Sequence, residues 1–169
     1  TFITGSLTSY NRYLKNVKTR PVNMSLISLF TEKGRDIRYS TFFDSKFFST
    51  KGIRTCVRSA EMCLILAESY AHLSDNDNAL KYLNLLRSKR ISNYEPYSMA
   101  TLPAASEGEV IKVDATGTKL TPLVAAILNE RRKELFMEGD RWFELKRNGS
   151  PEFWFGYNQI KYTTEKFLY

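Results

Sequence analysis

The chain has 169 residues, of which 43% are hydrophobic and 25% charged, enough apolar material for a domain with a core and too much for a disordered segment. A formal charge of +7 raises nucleic acid or an anionic surface as a partner, but the cations are spread from Arg12 to Lys166 and many sit beside acids. With no accompanying nucleic-acid motif, and its densest unbalanced stretch confined to Arg12–Arg20, the chain is expected to have no nucleic-acid partner.

From Thr1 to Gly52 the hydrophobic pattern is weak, with Tyr10, Tyr13, Phe42, Phe43, Phe47 and Phe48 scattered among polar residues. Val22 to Glu32 has helical spacing through Met24, Leu26, Ile27, Leu29 and Phe30, and Gly34 predicts its end. Arg35 to Phe43 alternates and is predicted extended, with a turn at Lys51-Gly52. Arg58 to Leu73 is predicted helical, with Met62, Leu66, Ala67, Tyr70 and Leu73 on its inner face. A second helix, Asn78 to Lys89, buries Ala79, Leu80, Leu83 and Leu86. The turn Ser74-Asp75-Asn76-Asp77 is short enough to force the two antiparallel, and their small residues resemble a single tetratricopeptide hairpin. If Cys56 and Cys63 share the first helix, their α-carbons lie about 10 Å apart, too far for a disulfide.

Ile91 to Thr121 is rich in Pro and Gly and predicts a long loop with a short strand at Val110–Val113. Leu120, Val124, Ile127, Leu128 and Leu135 then recur at helical spacing, with Arg131 inside their stripe. A guanidinium on a buried face needs carboxylates, and Glu130, Glu134, Glu138, Asp140 and Glu144 are the nearby candidates for an ion network. Gly139 and Asp140 predict a helix stop and a new N-cap, followed by a short helix whose Trp142 is expected in the core. Ser150-Pro151 breaks that helix before the aromatic cluster Phe153-Trp154-Phe155-Gly156-Tyr157 and an apolar end at Phe167-Leu168-Tyr169. The expected organisation is therefore 1–57 irregular with one short helix, 58–90 a hairpin, 91–121 a long loop, 122–149 a signature helical hairpin and 150–169 an irregular tail.

Four segments taken together carry a resemblance to the SusD/RagB family: Arg58-Ser59-Ala60-Glu61-Met62-Cys63-Leu64-Ile65-Leu66-Ala67-Glu68-Ser69-Tyr70, Ala79-Leu80-Lys81-Tyr82-Leu83-Asn84, Ile127-Leu128-Asn129-Glu130-Arg131-Arg132-Lys133-Glu134-Leu135 and Glu138-Gly139-Asp140-Arg141-Trp142-Phe143-Glu144-Leu145-Lys146-Arg147. The resemblance implies an all-α fold of tetratricopeptide-like hairpins with long irregular loops, corresponding to the C-terminal portion of a longer protein. It implies binding of an oligosaccharide or other nutrient at the bacterial outer-membrane surface, without catalysis or cofactor, and delivery to a TonB-dependent, SusC-like transporter. It further implies a lipid anchor carried by a segment outside this chain, and contact with the remaining N-terminal part of the same protein. No run of about 18 apolar residues spans a membrane. The opening Thr1-Phe2-Ile3-Thr4 has no signal-peptide pattern, so an exported protein would be met here processed or as a fragment.

Glycan capture requires an aromatic face against the apolar side of a sugar ring, flanked by polar groups for its hydroxyls. Tyr94 and Tyr97 in the long loop, with Trp154 and Tyr157 after the last helix, are the candidates; packing beneath the hairpin is the competing role for Trp154. Glu130, Glu134 and Glu138, with Glu61 and Glu68 opposite, suggest a carboxylate metal bundle, but such sites place His three residues after Glu. The only His is His72, and Ser69 precedes it by three, so no metal is expected. The alternative function is a tetratricopeptide-type scaffold that binds a protein partner through a concave surface.

Overall fold

A computed structural model describes residues 21–52, 58–104, 109–151, 156–157 and 160–161. The basic stretch Arg12–Arg20, Cys56, Trp154 and the apolar end at Phe167–Tyr169 lie outside the described residues. Six helices are described: α1 Met24–Ile27, α2 Ile37–Phe42, α3 Ser59–His72, α4 Asn76–Ser88, α5 Pro122–Glu134 and α6 Asp140–Arg147. Among the described residues the sheet content is one antiparallel pair, β1 Gly156–Tyr157 with β2 Ile160–Lys161, in the register Gly156↔Lys161 and Tyr157↔Ile160. The fold is all-α and tetratricopeptide-like.

Helices α3 and α4 form the hairpin. Asp75 starts α4 by accepting from the Asn78 amide, which satisfies one of the donors a helix N-terminus leaves unpaired. Ala67 and Ala79 have no exposed surface, and beside them Leu83, Leu123, Ala126 and Ile127 complete a cluster joining α3, α4 and α5. Alanine at these positions removes side-chain bulk, letting the third helix lie close against the hairpin. Helix α5 is buried on nearly all sides, continuously from Leu123 to Leu128, because a second cluster of Ile111, Val124, Leu128 and Leu145 covers its other flank. Thr121 caps it, its hydroxyl accepting from Val124 N–H at 3.2 Å, and Pro122 occupies the first turn, where no amide is needed.

The N-terminal segment packs as an aromatic knot. Phe30, Tyr39, Phe43 and Phe136 have ring centroids 5.5 to 5.9 Å apart along the chain of neighbours, in tilted and edge-on arrangements. Asp36 bridges to Ile91, with Ile37 N–H donating to Arg90 O at 2.9 Å and Ser92 N–H to Arg35 O at 2.9 Å. That pairing lays the start of α2 against the end of α4.

Several local expectations are corrected. The helix expected over Val22–Glu32 is only Met24–Ile27, after which Leu29 and Phe30 donate to Leu26 and Ile27 in tighter i→i−3 turns. Arg35–Phe43, expected extended, holds helix α2, because Asp36 accepts from Arg38 N–H as an N-cap and Arg38 turns inward to 2% exposure while Ile37 is 58% exposed. On α3 the buried stripe is Ala60, Leu64 and Ala67, with Met62 and Leu73 outside it at 47% and 75% exposure. The expected strand at Val110–Val113 is a single bridge, Val113 to Lys119, closed by Gly117 at φ 81°. Gly139, not Asp140, is the N-cap of α6, with φ 83°. Trp142, expected in the core, is exposed; Glu144 and Leu145 hold the buried face of that short helix.

Candidate functional site

The polar interior of the molecule is built around one face of α5. Glu130, 1% exposed, has Arg38 Nη2 2.6 Å from Oε1 as a charge contact, and Oε2 takes Arg87 Nη1 and Lys133 Nζ, both at 2.7 Å. One turn along, Glu134 meets Arg38 at 3.0 Å, Arg58 at 2.5 Å and Arg90 at 2.9 Å. Glu138 receives Lys51 at 2.6 Å and Arg58 at 2.7 Å. Arg38 is completed by Asp36 at 2.7 Å and Arg87 by Glu32 at 2.6 Å. The three glutamates spaced four apart thus gather cations from the N-terminal segment, α2, α3's entry and α4 into one buried lattice. Breaking a buried pair in it would strand a charge.

Electrostatics follow from that crowding. Burial opposes ionisation of Glu130, but Lys133, Arg38 and Arg87 outweigh it and hold the carboxyl far below the usual carboxylate range. Burial likewise opposes ionisation of Glu134, yet hydrogen bonds from Arg90 and Arg58 and the charge of Arg38 bring it down to about 2. Burial pushes Lys133 down, helped by Arg38 and Arg87 and resisted by Glu130. Glu144 moves the other way: burial raises it, with Arg141 at 2.6 Å only partly compensating.

Arg131 stands apart from this lattice. Its partners are Asp140 at 2.6 Å and Glu61 at 3.4 Å, so it ties α5 to α6 and α3 instead of meeting Glu130, Glu134 or Glu138. Successive residues on one helix turn point about 100° apart, which sends Glu130 and Arg131 to different neighbours. Arg147 of α6 pairs with Glu68 of α3, and His72 lies 3.9 Å from Glu68 and 3.6 Å from Asp114.

Among the aromatic candidates, Tyr94 and Tyr97 come together around Arg87, whose guanidinium carbon is 5.4 Å and 4.0 Å from their ring centres. Asn84 organises the same corner: its amide donates to Tyr97 O at 2.9 Å, and its carbonyl accepts from Tyr97 N–H at 2.9 Å and from the Tyr94 hydroxyl. Both tyrosines are half-buried. Trp154 lies outside the described residues, and for Tyr157 the backbone alone is described, in β1.

Two cavities among the described residues open beside this frame. The larger, of about 520 Å³, lies between α5 and the 109–120 loop, lined by Ile111, Val113, Leu120 and Leu128 among others. The smaller, of about 270 Å³, sits between α3 and α6 and is lined by Glu68, His72, Thr116, Arg131 and Arg147 among others. Among the described residues, no group of three or more His, Cys, Asp or Glu side chains is placed to hold a metal ion.

Arg38, Arg58, Arg87 and Arg90 are central to the lattice and went unrecognised in the sequence. A partial signal exists: Arg87 follows Leu83 by four and shares its buried face, and Asp36-Ile37-Arg38 places an acid two residues before a base. The remaining signal is the long-range pairing of segments, which no local pattern carries.

Compared with known proteins, residues 5–168 match the model of the SusD family. No curated protein and no solved structure matches the chain.

Proposed function

Because the chain belongs to the SusD family, whose proteins bind glycans and other nutrients for uptake at the outer membrane, we propose that it is a non-catalytic capture component that passes its ligand to a TonB-dependent, SusC-like transporter. The family match over residues 5–168 carries this reading. In it, the α3–α4 hairpin with α5 is a rigid frame, locked by the Glu130–Glu134–Glu138 lattice, and binding belongs to the loops that frame holds out. A protein-binding scaffold would show several stacked hairpins with an open groove; among the described residues one tetratricopeptide-like hairpin packs against Leu123, Ala126 and Ile127 of α5. No helix among the described residues is long and apolar enough to cross a membrane. Attachment in this reading is through a lipid on a segment outside this chain. Contacts with the remaining N-terminal part of the same protein belong to the same proposal.

Tyr94 and Tyr97 are the aromatic contacts we assign to the described loop, with Trp154 and Tyr157 completing the set. The fixed corner at Asn84 and Arg87 supports Tyr94 and Tyr97 by holding their rings in place, so little rotamer freedom is lost on binding. Isothermal titration of the intact protein against a broad oligosaccharide panel tests the reading. A saturating heat with at least one glycan is expected, weakened by Trp154→Ala or Tyr97→Ala; silence across the panel rules out a carbohydrate ligand. Delivery is checked separately, by recovery of the intact protein from outer-membrane extracts together with a TonB-dependent β-barrel. Recovery alone, at native expression, would refute the handover.

A further inference from the structure

The cavity beside α5 has a chemistry that sugar capture does not use. Its floor is aliphatic: Ile111 and Leu128 are 2% and 3% exposed, and Val113 and Leu120 form half-buried walls. Among the described residues lining it there is no aromatic ring on which a pyranose face would stack. A volume of about 520 Å³ falls within the span of small-molecule sites, which are mostly apolar with a few polar groups fixing orientation.

Those polar groups are predominantly cationic. Lys112, Lys119 and Arg141 line the cavity against a single acid, Glu109. Glu109 and Arg141 are already engaged, with each other at 2.8 Å, Glu109 also with Arg132 at 3.0 Å and Arg141 also with Glu144 at 2.6 Å, so the headgroup contact falls to Lys119, and Asn129 adds an uncharged amide. The exposed Lys119 stands next to Leu120, at the point where the loop enters α5, so a cation and the aliphatic wall are adjacent in the chain.

We infer that this cleft binds an amphiphilic anion, a medium-chain aliphatic carboxylate, with its hydrocarbon tail on Ile111, Leu120 and Leu128 and its headgroup at Lys119. The tail is selected by the aliphatic surface of Ile111, Val113, Leu120 and Leu128, and the headgroup by Lys119 beside it. This site is separate from the tyrosine corner and does not depend on a glycan being the transported nutrient.

Three probes titrated into the intact protein separate the contributions: decanoate, below the concentration at which it self-associates; decanol, with a tail of the same length but no charge; and acetate, a carboxylate with no tail. The expected result is saturable one-to-one binding of decanoate, at least about tenfold weaker binding of decanol, and none of acetate. Lys119→Glu, on the surface, should weaken decanoate binding by about tenfold, and Leu120→Asp should abolish it, with an unchanged far-UV circular dichroism spectrum for each. Decanoate failing to bind, decanol or acetate binding as well as decanoate, or both variants keeping the parent affinity would each overturn the assignment. Glycan titration of the same variants should be unaltered, so a failure here is distinguishable from a failure of the glycan reading.

Discussion

Replacing Glu130 by Gln is the sharpest probe of the buried lattice, because it changes charge with almost no change in shape. The carboxylate faces Arg38 at 2.6 Å and Arg87 and Lys133 at 2.7 Å. At an effective dielectric of about 20, each contact of that length carries about 6 kcal/mol of attraction. Desolvation of the ions cancels much of it, at several kcal/mol for each, so the net contribution of the intact cluster is modest. The variant differs: Arg38 keeps Asp36 and Glu134 and Arg87 keeps Glu32, but Lys133, at 3% exposure, stays buried while its described carboxylate partner is gone. The expected loss is about 3 to 5 kcal/mol, a large share of the 5 to 15 kcal/mol that holds a typical domain together. Urea denaturation followed by far-UV circular dichroism measures it. Among the described residues the ion-pair partner of Lys133 is Glu130, so Glu130→Gln combined with Lys133→Met should recover at least about 1 kcal/mol relative to the single variant. A single-variant loss below about 1 kcal/mol, or a double variant destabilised by the full sum of its parts, would refute the claim that Glu130 is the balancing charge.

Acid should undo the same lattice. Glu134 titrates at about 2 in the folded chain against an ordinary 4.5, so its contribution is complete above about pH 4.5 and disappears as pH falls toward 2; alone it amounts to about 3 kcal/mol. Glu130 shifts in the same direction and adds to the loss, whereas Glu144, raised by burial, gains stability as it protonates. Denaturation midpoints measured from pH 7 to 2.5 should therefore fall steeply below 4.5, and a flat profile there contradicts the assignment. Gly149→Ala should destabilise by about 2 to 3 kcal/mol, because φ is 82° and a β-carbon would stand 2.5 Å from Val113 Cγ2. Gly117→Ala, at φ 81° with nothing within 4 Å, isolates the backbone cost at about 1 kcal/mol, and equal melting temperatures for the two variants would exclude the steric contribution. Asn84→Ala should cost about 1 to 3 kcal/mol and speed hydrogen exchange at the Tyr97 amide, which would otherwise keep the parent rate.

The helical hairpin was legible because its code is local. Leu83 and Leu86 repeat at helical spacing, Asp75 caps, and the turn is too short for any arrangement but an antiparallel one. The same applies to the α5 stripe of Val124, Ile127 and Leu128. Alternation misled at Arg35–Phe43, where a hydrogen bond from Arg38 N–H to Asp36 at 3.0 Å and the burial of Arg38 override the period-two pattern. Trp142 misled for a related reason: an eight-residue helix has room for one narrow inner face, which Leu145 and Glu144 occupy. The aromatic candidates divide along the same line, Tyr94 and Tyr97 meeting only because Asn84 and Arg87 project from α4 toward the loop that follows it.

Hydrophobic period, capping residues and short turns are properties of neighbours along the chain, and they settle the helices, their pairing in the hairpin and the need for carboxylates around a buried guanidinium. Which carboxylate meets which guanidinium is a property of neighbours in space. Glu130 finds Arg38 and Arg87, and Arg131 finds Asp140 and Glu61, only once the 35–37 strand of chain lies against 90–92 and α6 folds back on α3. The physical reason is range: a helix propensity acts over a few residues, whereas an ion pair in a desolvated interior acts over a few ångströms and is indifferent to how much chain separates its partners.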